Sequence, residues 1–295
     1  MAVVIFTVSA FSASLLWSGG IDHPEGGIGR LWKGDFAHPS GPLAVLRVVD
    51  WNIDRGKRFQ AVAAALEHEH PDLCLLQETD LFARRSARRN VADDLSRDLS
   101  LNYVFAPEFQ ELAQGAPGEP SYQGQATLSR LPVKRARILR FRAQSGFWKP
   151  RRFLPHWPVF QRRLGGRIAL VTELDWNGKL LVVYNAHLES RSWGHLQSLQ
   201  LEEILEDARR YSEKTPVILA GDLNSAYNRG VLIAQFRDAG FHSIFDGRHP
   251  RTNMLGFSID WILLRGPLAA RGAEVIRGAG ASDHFPVVVT LAPLQ

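Results

Sequence analysis

From Leu43 onward the chain consists of short apolar runs that alternate with longer amphipathic stretches. Runs of this length, rich in β-branched residues and bounded by turn residues, are typical of buried strands. In Phe59–His68 and Trp193–Tyr211 the apolar residues instead recur every three or four positions, which predicts helices. A third helix is expected at 87–99, and strands are expected at 45–49, 73–77, 103–105, 126–128, 138–141, 168–174, 180–186, 217–220, 259–264 and 286–291. Strands therefore outnumber helices, which favours a mixed, layered α/β (α+β) fold.

Two connections between predicted strands carry their own signals. Asn177-Gly178 lies between two apolar runs, and this dipeptide in that setting predicts a tight β-hairpin. The runs 126–128 and 138–141, on either side of Pro132, are expected to form a second strand pair.

The N-terminal part of the chain differs from the rest. Residues 2–17 are almost uncharged and largely apolar, which suits a signal-peptide core and is short for a membrane span. No Lys or Arg precedes them, so an export signal, a membrane-associated tail and sequence upstream of the true start all stay open. The pattern favours export or membrane attachment over the cytoplasm. Residues 21–42 are rich in Gly and Pro, which predicts a linker, so the expected division is 1–42 and a single domain, 43–295.

Charge narrows the class of ligand. The chain has 35 Lys plus Arg against 30 Asp plus Glu, a formal net charge of +5. A basic balance suits an anionic substrate such as nucleic acid, phospholipid or a phosphorylated metabolite. Pairs of adjacent arginines fit solvated surface and anion contact equally well: 84–85, 88–89, 151–152 and 162–163. The single cysteine, Cys74, excludes an intrachain disulfide, and its apolar neighbours predict a buried thiol.

Polar residues capable of metal binding and acid–base chemistry stand at or beside the ends of the predicted strands. In chain order they are Asn52, Glu78, His187, Asp222, Asn224, Asp260, Asp283 and His284. Because neighbouring strands end at a common edge, these side chains are expected to converge. Carboxylates suit a hard cation such as Mg²⁺, and hydrolysis needs a base for water and a group that stabilises the leaving oxygen. Each residue alone also fits a solvated strand end, a turn or a buried histidine, so the prediction depends on the whole set.

The same residues belong to six short motifs in a fixed order. They are Trp51-Asn52-Ile53, Gln77-Glu78, Asn185-Ala186-His187-Leu188, Gly221-Asp222-Leu223-Asn224, Asp260-Trp261-Ile262 and Ser282-Asp283-His284-Phe285-Pro286-Val287. This set resembles the motifs of the endonuclease/exonuclease/phosphatase superfamily, which includes deoxyribonuclease I, abasic-site endonucleases, sphingomyelinases, inositol polyphosphate 5-phosphatases and deadenylases. The resemblance implies a four-layer α/β/β/α sandwich of the deoxyribonuclease I type, with the site at one end between the two sheets.

The resemblance also implies a set of metal ligands. Glu78 matches the principal ligand, Asn52 beside it contacts metal or phosphate, and Asp283 matches a further acidic residue at the metal and water site. The implied cofactor is Mg²⁺, with Mn²⁺ or Ca²⁺ as alternatives.

The catalytic roles follow from the same resemblance. Asp222 matches the residue that aligns or deprotonates the attacking water, and Asn224 matches one that binds a phosphate oxygen. His284 matches a histidine that contacts the phosphoryl group and is oriented by the carboxylate of Asp260. Whether His284 acts as a base or as an electrostatic stabiliser is left open. The implied phosphate contacts are therefore Asn52, Asn224 and His284.

His187 discriminates between branches of the superfamily. The Asn-x-His-Leu form resembles the nuclease, sphingomyelinase and phosphatase branches, where this histidine protonates or stabilises the leaving oxygen, and it disfavours abasic-site endonucleases. A carboxylate partner for His187 is expected, and Glu108 is the candidate. Gln125 stands where many relatives carry Asn, which keeps an amide but shifts its position.

The substrate is left to three hypotheses. Residues 142–166 combine arginines with Trp, Phe and Pro. Their apolar residues follow neither the helical nor the strand period, which predicts a long loop or insertion. Such a stretch suits base stacking with phosphate neutralisation, a lipid headgroup interface, or a packed cover over the core. The chain is accordingly expected to be a monomeric phosphodiesterase acting on nucleic acid. The alternatives are a phospholipid or sphingomyelin-type phosphodiesterase or small-molecule phosphatase at a membrane, and a non-catalytic anion-binding relative.

Overall fold

The computed structural model describes residues 27–38, 41–148, 162–245, 247 and 249–294. The apolar segment 2–17 and the central part of the predicted insertion, 149–161, lie outside the described residues. No helix among the described residues has the length and apolar character that a bilayer crossing requires.

The described residues form fourteen strands and four α-helices. The helices are α1 (Phe59–Glu69), α2 (Val91–Leu99), α3 (His195–Ala208) and α4 (Arg229–Asp238). The strands are β1 (Trp32–Gly34), β2 (Leu46–Asn52), β3 (Leu73–Leu81), β4 (Asn102–Glu111), β5 (Tyr122–Ser129), β6 (Val133–Arg140), β7 (Arg163–Gly165), β8 (Ile168–Trp176), β9 (Lys179–His187), β10 (Val217–Asp222), β11 (His242–Ser243), β12 (Asp260–Arg265), β13 (Leu268–Val275) and β14 (Val287–Pro293).

The strands form two sheets that face each other. One has the order β1-β4-β5-β3-β2-β14-β13, with β7 beside β4, and the other has the order β11-β12-β10-β9-β8-β6. Leu46 and Val48 of β2 pack with Ile218 of β10 in the apolar layer between the sheets. Side chains of α1 and α2 cover the outer face of the first sheet, and those of α3 and α4 cover the second. The predicted four-layer α/β/β/α sandwich is confirmed.

Burial on both faces explains why the strands read as unbroken apolar runs. In β2 the side chains of Leu46 and Val48 point into the layer between the sheets, whereas those of Val49 and Trp51 point to the opposite face and pack against α1 and α2. Both faces of the strand are therefore shielded from water. Cys74 of β3 is fully buried, as predicted. Each large apolar side chain buried in this way contributes about 1.5–3 kcal/mol.

The hairpin predicted at Asn177-Gly178 is confirmed. It joins β8 and β9, which pair antiparallel along their full length. Asn177 has φ 54° and Gly178 has φ 82°, as the type I′ turn of a two-residue hairpin requires.

The strand pair predicted around Pro132 is wrong. The two segments are strands β5 and β6, but they lie in different sheets. Both edges of β5 are occupied, by β3 on one side and β4 on the other, so β6 pairs with β8 instead.

Several predicted boundaries also shift, and two of the shifts have a clear cause. Residues 32–34, assigned to the linker, form β1 at the edge of the first sheet, where Trp32 packs against Phe105 and Tyr122 with ring centroids 5.9 and 5.5 Å away. The helix expected at 87–99 begins at Val91, because the side chain of Asn90 caps it by accepting a hydrogen bond from the backbone N–H of Asp93.

The topology places the polar strand ends together. β2 runs parallel to β3, and β9 runs parallel to β10, so Asn52, His187 and Asp222 lie at matching carboxyl ends. β12 and β14 run antiparallel to these neighbours and therefore begin at the same edge, which brings Asp260 opposite Asp222. The pairing of strands, and not sequence proximity, assembles the site.

Candidate active site

The carboxylate of Asp222 lies at the centre of the polar group. Its Oδ2 is 3.5 Å from Nε2 of His187, 3.8 Å from Nε2 of His284 and 3.3 Å from Nδ2 of Asn52. All four side chains are buried. The structure thus joins residues from both sheets around one carboxylate oxygen.

Asp260 holds His284 from the side opposite Asp222. Nδ1 of His284 lies 2.8 and 3.0 Å from the two Asp260 carboxylate oxygens. Burial alone would lower the pKa of His284, but the charge and hydrogen bond of Asp260, together with the charge of Asp222, raise it to about 10. The imidazole is therefore an imidazolium at neutral pH.

Burial raises the pKa of Asp222 to about 7, against the opposing effect of the His284 charge. A carboxylate in this range exchanges a proton near neutral pH, as a general base requires.

The backbone position of Asp222 depends on Gly221, which has φ 139° and lies so near β9 that a Cβ would fall 1.8 Å from the carbonyl oxygen of Ala186. The glycine in Gly221-Asp222 is thus a requirement of close strand packing.

His187 is neutral in the structure. Burial, followed by the charge of Arg167, lowers its pKa well below the ordinary value. Its Nε2 faces Asp222, and its Nδ1 is buried without a hydrogen-bond partner among the residues the structure describes.

The predicted contact between Glu108 and His187 is wrong. Oε1 of Glu108 lies 2.7 Å from Nη1 of Arg167, and its Oε2 accepts a hydrogen bond from Nε2 of Gln125 at 3.2 Å. Glu108 and Arg167 are both buried, and an ion pair offsets the desolvation of two charges better than a contact with a neutral imidazole. The amide of Gln125 thus supports Glu108.

Asn224 ties the ends of β9 and β10 together. Its backbone N–H donates to Oδ1 of Asp222 at 3.0 Å, and its Nδ2 donates to the carbonyl oxygen of Leu188 at 2.9 Å. Its φ is 46°, a left-handed conformation that asparagine tolerates better than most residues. Contact with a substrate phosphate stays a prediction for Asn224.

The three predicted metal ligands lie on separate elements at this edge. Glu78 sits at an irregularity in β3 with φ 50°, and Arg55 Nη2 lies 2.9 Å from its Oε2. Oδ1 of Asn52 accepts a hydrogen bond from the backbone of Asp54 at 3.2 Å. Asp283 is exposed beside His284, and Oγ of Ser282 lies 3.3 Å from its Oδ1.

The chemistry of these donors fits a hard divalent cation. Glu78, Asn52 and Asp283 offer carboxylate and amide oxygens only. A second group, Asp222, Asp260 and His284, has ligand atoms within 4.8 Å of one another and is buried. In that group, however, Nδ1 of His284 already bonds both oxygens of Asp260, so we interpret it as a hydrogen-bonded triad.

A buried polar network behind the site was not predicted. Nε2 of Gln77 donates to Oδ1 of Asp50 at 2.8 Å and to Oδ1 of Asn185 at 2.9 Å, which links the first sheet to the second. Burial and then the charge of Asp260 raise the pKa of Asp50 well above its ordinary value. The available signal was an acidic residue inside the apolar run of β2.

Arg55 and Arg167 were also missed as site residues. The charges of both lower the pKa of His187, and Arg55 also forms an ion pair with Glu78. Arg55 follows the Trp51-Asn52-Ile53 motif closely, which was the only local signal. Arg167 belongs to the stretch between the insertion and β8 and gave none.

Fold and site together define a class of protein: a two-sheet α/β sandwich with imidazoles, carboxylates and amides gathered at one end. A family model described as the endonuclease/exonuclease/phosphatase family matches residues 51–284. The chain belongs to this family, and the resemblance seen in the motifs is confirmed. The family is one of divalent-metal-dependent phosphoesterases.

Solved structures agree on the fold. An endonuclease/exonuclease/phosphatase from Beutenbergia cavernae DSM 12333 is 19% identical, with a TM-score of 0.63 over 85% of this chain and 72% of that one. The human Nocturnin catalytic domain with bound sulfate is 18% identical, with a TM-score of 0.63 over 89% and 97%. D. rerio TDP2 complexed with single strand DNA product is 20% identical, with a TM-score of 0.58 over 84% and 99%. No curated protein matches the chain.

Proposed function

We propose that this protein is a divalent-metal-dependent phosphodiesterase that hydrolyses a phosphate ester in nucleic acid. The observation that carries the proposal is the placement of Asp222 between His187 and His284, at 3.5 and 3.8 Å. A base, a cationic donor and a neutral donor within reach of one another are what in-line attack of water on a phosphoryl group requires.

The proposed roles follow from the charge of each group. Asp222, with a pKa of about 7, aligns the attacking water and accepts its proton. His284, held protonated by Asp260, donates from Nε2 to a phosphoryl oxygen and stabilises the charge that develops there. His187 is neutral, so it supports the leaving oxygen through a hydrogen bond and not as a strong acid.

Glu78, Asn52 and Asp283 would hold the cation. A bound Mg²⁺ supplies Lewis-acid polarisation of the phosphate, with Mn²⁺ or Ca²⁺ as alternatives. Arg55 forms an ion pair with the carboxylate of Glu78, whose side chain is only 17% exposed. Asn52 links the proposed metal ligands to the catalytic group, because its Nδ2 donates a hydrogen bond to Asp222. Its Oδ1 accepts a hydrogen bond from the backbone N–H of Asp54.

The test is hydrolysis of bis-p-nitrophenyl phosphate, single-stranded DNA and RNA with Mg²⁺ and with EDTA. We expect turnover in Mg²⁺, none in EDTA, and loss of turnover in Asp222→Asn with the fold retained by circular dichroism. Leu294→Ala is the matched control, because this exposed side chain follows β14 at the end remote from His284. If Asp222→Asn hydrolyses all of these esters as fast as the wild type does, the proposal is wrong.

A phospholipid or sphingomyelin substrate at a membrane is the second candidate. It is favoured by the loop that precedes β12, where Met254 and Leu255 are 70% and 80% exposed. Vesicles of sphingomyelin and of phosphatidylglycerol therefore belong in the same panel. Faster turnover of lipid than of nucleic acid would favour this candidate. A non-catalytic anion-binding role is the third, and any metal-dependent turnover excludes it.

A further inference from the structure

Two large aromatic side chains are exposed on the loops that follow the strands ending in His187 and Asp222. Trp193 is 80% exposed and lies six residues after His187, and Tyr227 is 63% exposed and lies five residues after Asp222. Their ring centroids are 4.8 Å apart and their planes meet at 61°, an edge-to-face pair. Exposed aromatic clusters of this kind usually mark a contact surface.

The two loops are fixed to each other, so the pair is preformed. Nδ2 of Asn228 donates to the carbonyl oxygen of Gly194, and a Cβ on Gly194 would fall 2.4 Å from Cβ of Asn228. Trp193 itself has φ 52°, a left-handed conformation that is unfavourable for a bulky residue. A strained, exposed tryptophan that the surrounding structure holds in place is a feature found at functional sites.

The first loop is also shaped from within. The carboxylate of buried Glu189 accepts hydrogen bonds from the backbone N–H groups of Ser190 and Arg191, at 2.9 and 3.1 Å. Ser192 caps the start of α3: its carbonyl oxygen accepts a hydrogen bond from the N–H of His195, and its hydroxyl oxygen accepts one from the N–H of Leu196. Trp193 is therefore presented by an ordered turn.

Arginines flank the pair in sequence. Arg191 lies two residues before Trp193, with its guanidinium 4.5 Å from the ring of Phe147. Arg229 lies two residues after Tyr227, 5.4 Å from the ring of Trp261. Aromatic faces beside arginines match a ligand that has flat rings on an anionic backbone, which is a nucleic-acid strand, better than a purely apolar partner.

We propose that Trp193 and Tyr227 form a stacking surface for an unpaired nucleobase of a strand whose phosphate lies at His187 and Asp222. The inference rests on the proposed function and names its substrate form as single-stranded. A base inside a duplex has both faces covered by its neighbours, so this surface favours single strands, loops and frayed ends.

The experiment measures binding of two fluorescent strands by anisotropy, with EDTA present so that no turnover occurs. One is a thymidine strand of about 12 nucleotides, and the other is an abasic strand of the same length and charge. We expect Trp193→Ala to bind the thymidine strand about tenfold more weakly and the abasic strand equally well. Trp193→Phe should retain most of the affinity, and Leu294→Ala should retain all of it.

The outcomes separate this proposal from the hydrolytic one. Equal loss on both strands would mean a general structural effect and would overturn the stacking role, as would no loss at all. If Trp193→Ala loses binding to phosphatidylglycerol vesicles but binds both strands unchanged, the pair belongs to a lipid surface, and the stacking role is overturned too.

Tyr227→Ala repeats the comparison in case Trp193→Ala unfolds. Hydrolysis with no base-dependent binding would leave the proposed function standing, and base-dependent binding without hydrolysis would leave only the stacking surface.

Discussion

His284 shares one imidazole N–H between both carboxylate oxygens of Asp260, at 2.8 and 3.0 Å from Nδ1. The contact orients the ring so that Nε2 lies 3.8 Å from Oδ2 of Asp222. It also supplies a buried negative charge that keeps the imidazole protonated, with a pKa of about 10. One side chain thus sets both the direction and the charge of another.

Asp260→Asn should separate these two effects. The amide keeps the size of the side chain but removes its charge, so the pKa of His284 falls and less imidazolium is present at neutral pH. We expect kcat on bis-p-nitrophenyl phosphate to fall about 10²–10⁴-fold. The alkaline limb of the pH–rate profile should move to lower pH. An alkaline limb that stays in place would contradict this role of Asp260.

Asp222→Asn should stabilise the fold while removing turnover. The folded pKa of Asp222, about 7, is above its ordinary value of 3.8, so the folded state binds the proton more tightly than the unfolded state. Stability is therefore greatest below the unfolded pKa and is lost as the pH rises through about 7. Near pH 8 the variant should gain on the order of 1 kcal/mol in urea unfolding, with little gain near pH 4. An equal effect at both pH values would contradict the assignment to ionisation.

Arg167→Met should destabilise the protein more than a surface substitution does. It leaves Glu108 buried with no guanidinium at its Oε1, and removal of one partner of a buried pair costs about 3–5 kcal/mol. The double variant Glu108→Gln with Arg167→Met should recover much of this loss, since the side chain at position 108 then carries no buried charge that has lost its guanidinium. Urea unfolding near pH 8 measures both. A double variant no more stable than Arg167→Met would argue that packing, not charge, dominates here.

Gly221→Ala should destabilise the second sheet. The new Cβ would lie 1.8 Å from the backbone oxygen of Ala186, and the φ of 139° disfavours any side chain. We expect a loss of about 2–4 kcal/mol in the free energy of unfolding. Gly230→Ala in α4 is the control, because a Cβ there meets nothing within 4 Å and alanine favours helix. Similar losses in the two variants would rule out the close strand packing as the cause.

Mg²⁺ should raise the melting temperature of the wild type. A ligand that binds only the folded state adds RT ln(1 + [L]/Kd) to stability. Glu78→Gln keeps the size of the proposed ligand but removes its charge, so the shift should be smaller at each Mg²⁺ concentration. Calorimetric scans across a Mg²⁺ series measure it. An unchanged shift in Glu78→Gln would exclude this carboxylate as a ligand.

The sequence by itself predicted most of the core strands, three of the four described helices and the candidate site residues. Apolar residues repeat with a period that reports burial, so the strand around Leu75 and the helix from Phe59 could be predicted without knowledge of their neighbours. The polar groups at the ends of strands, such as His187 and Asp222, could be named in the same way, because a functional residue must interrupt an apolar pattern. The ordered motifs then identified the family.

Only the tertiary structure decided which groups meet. Backbone N–H and C=O groups are alike in all residues except proline, which lacks the N–H. The apolar runs on either side of Pro132 therefore do not specify that β5 and β6 join different sheets. Glu108 pairs with Arg167 across 59 positions of sequence, and a buried carboxylate takes whichever cation the fold brings within reach. The approach of Trp193 to Tyr227 likewise depends on the parallel pairing of β9 and β10. Periodicity encodes how deeply a residue is buried, while long-range pairing depends on the relative positions of whole elements.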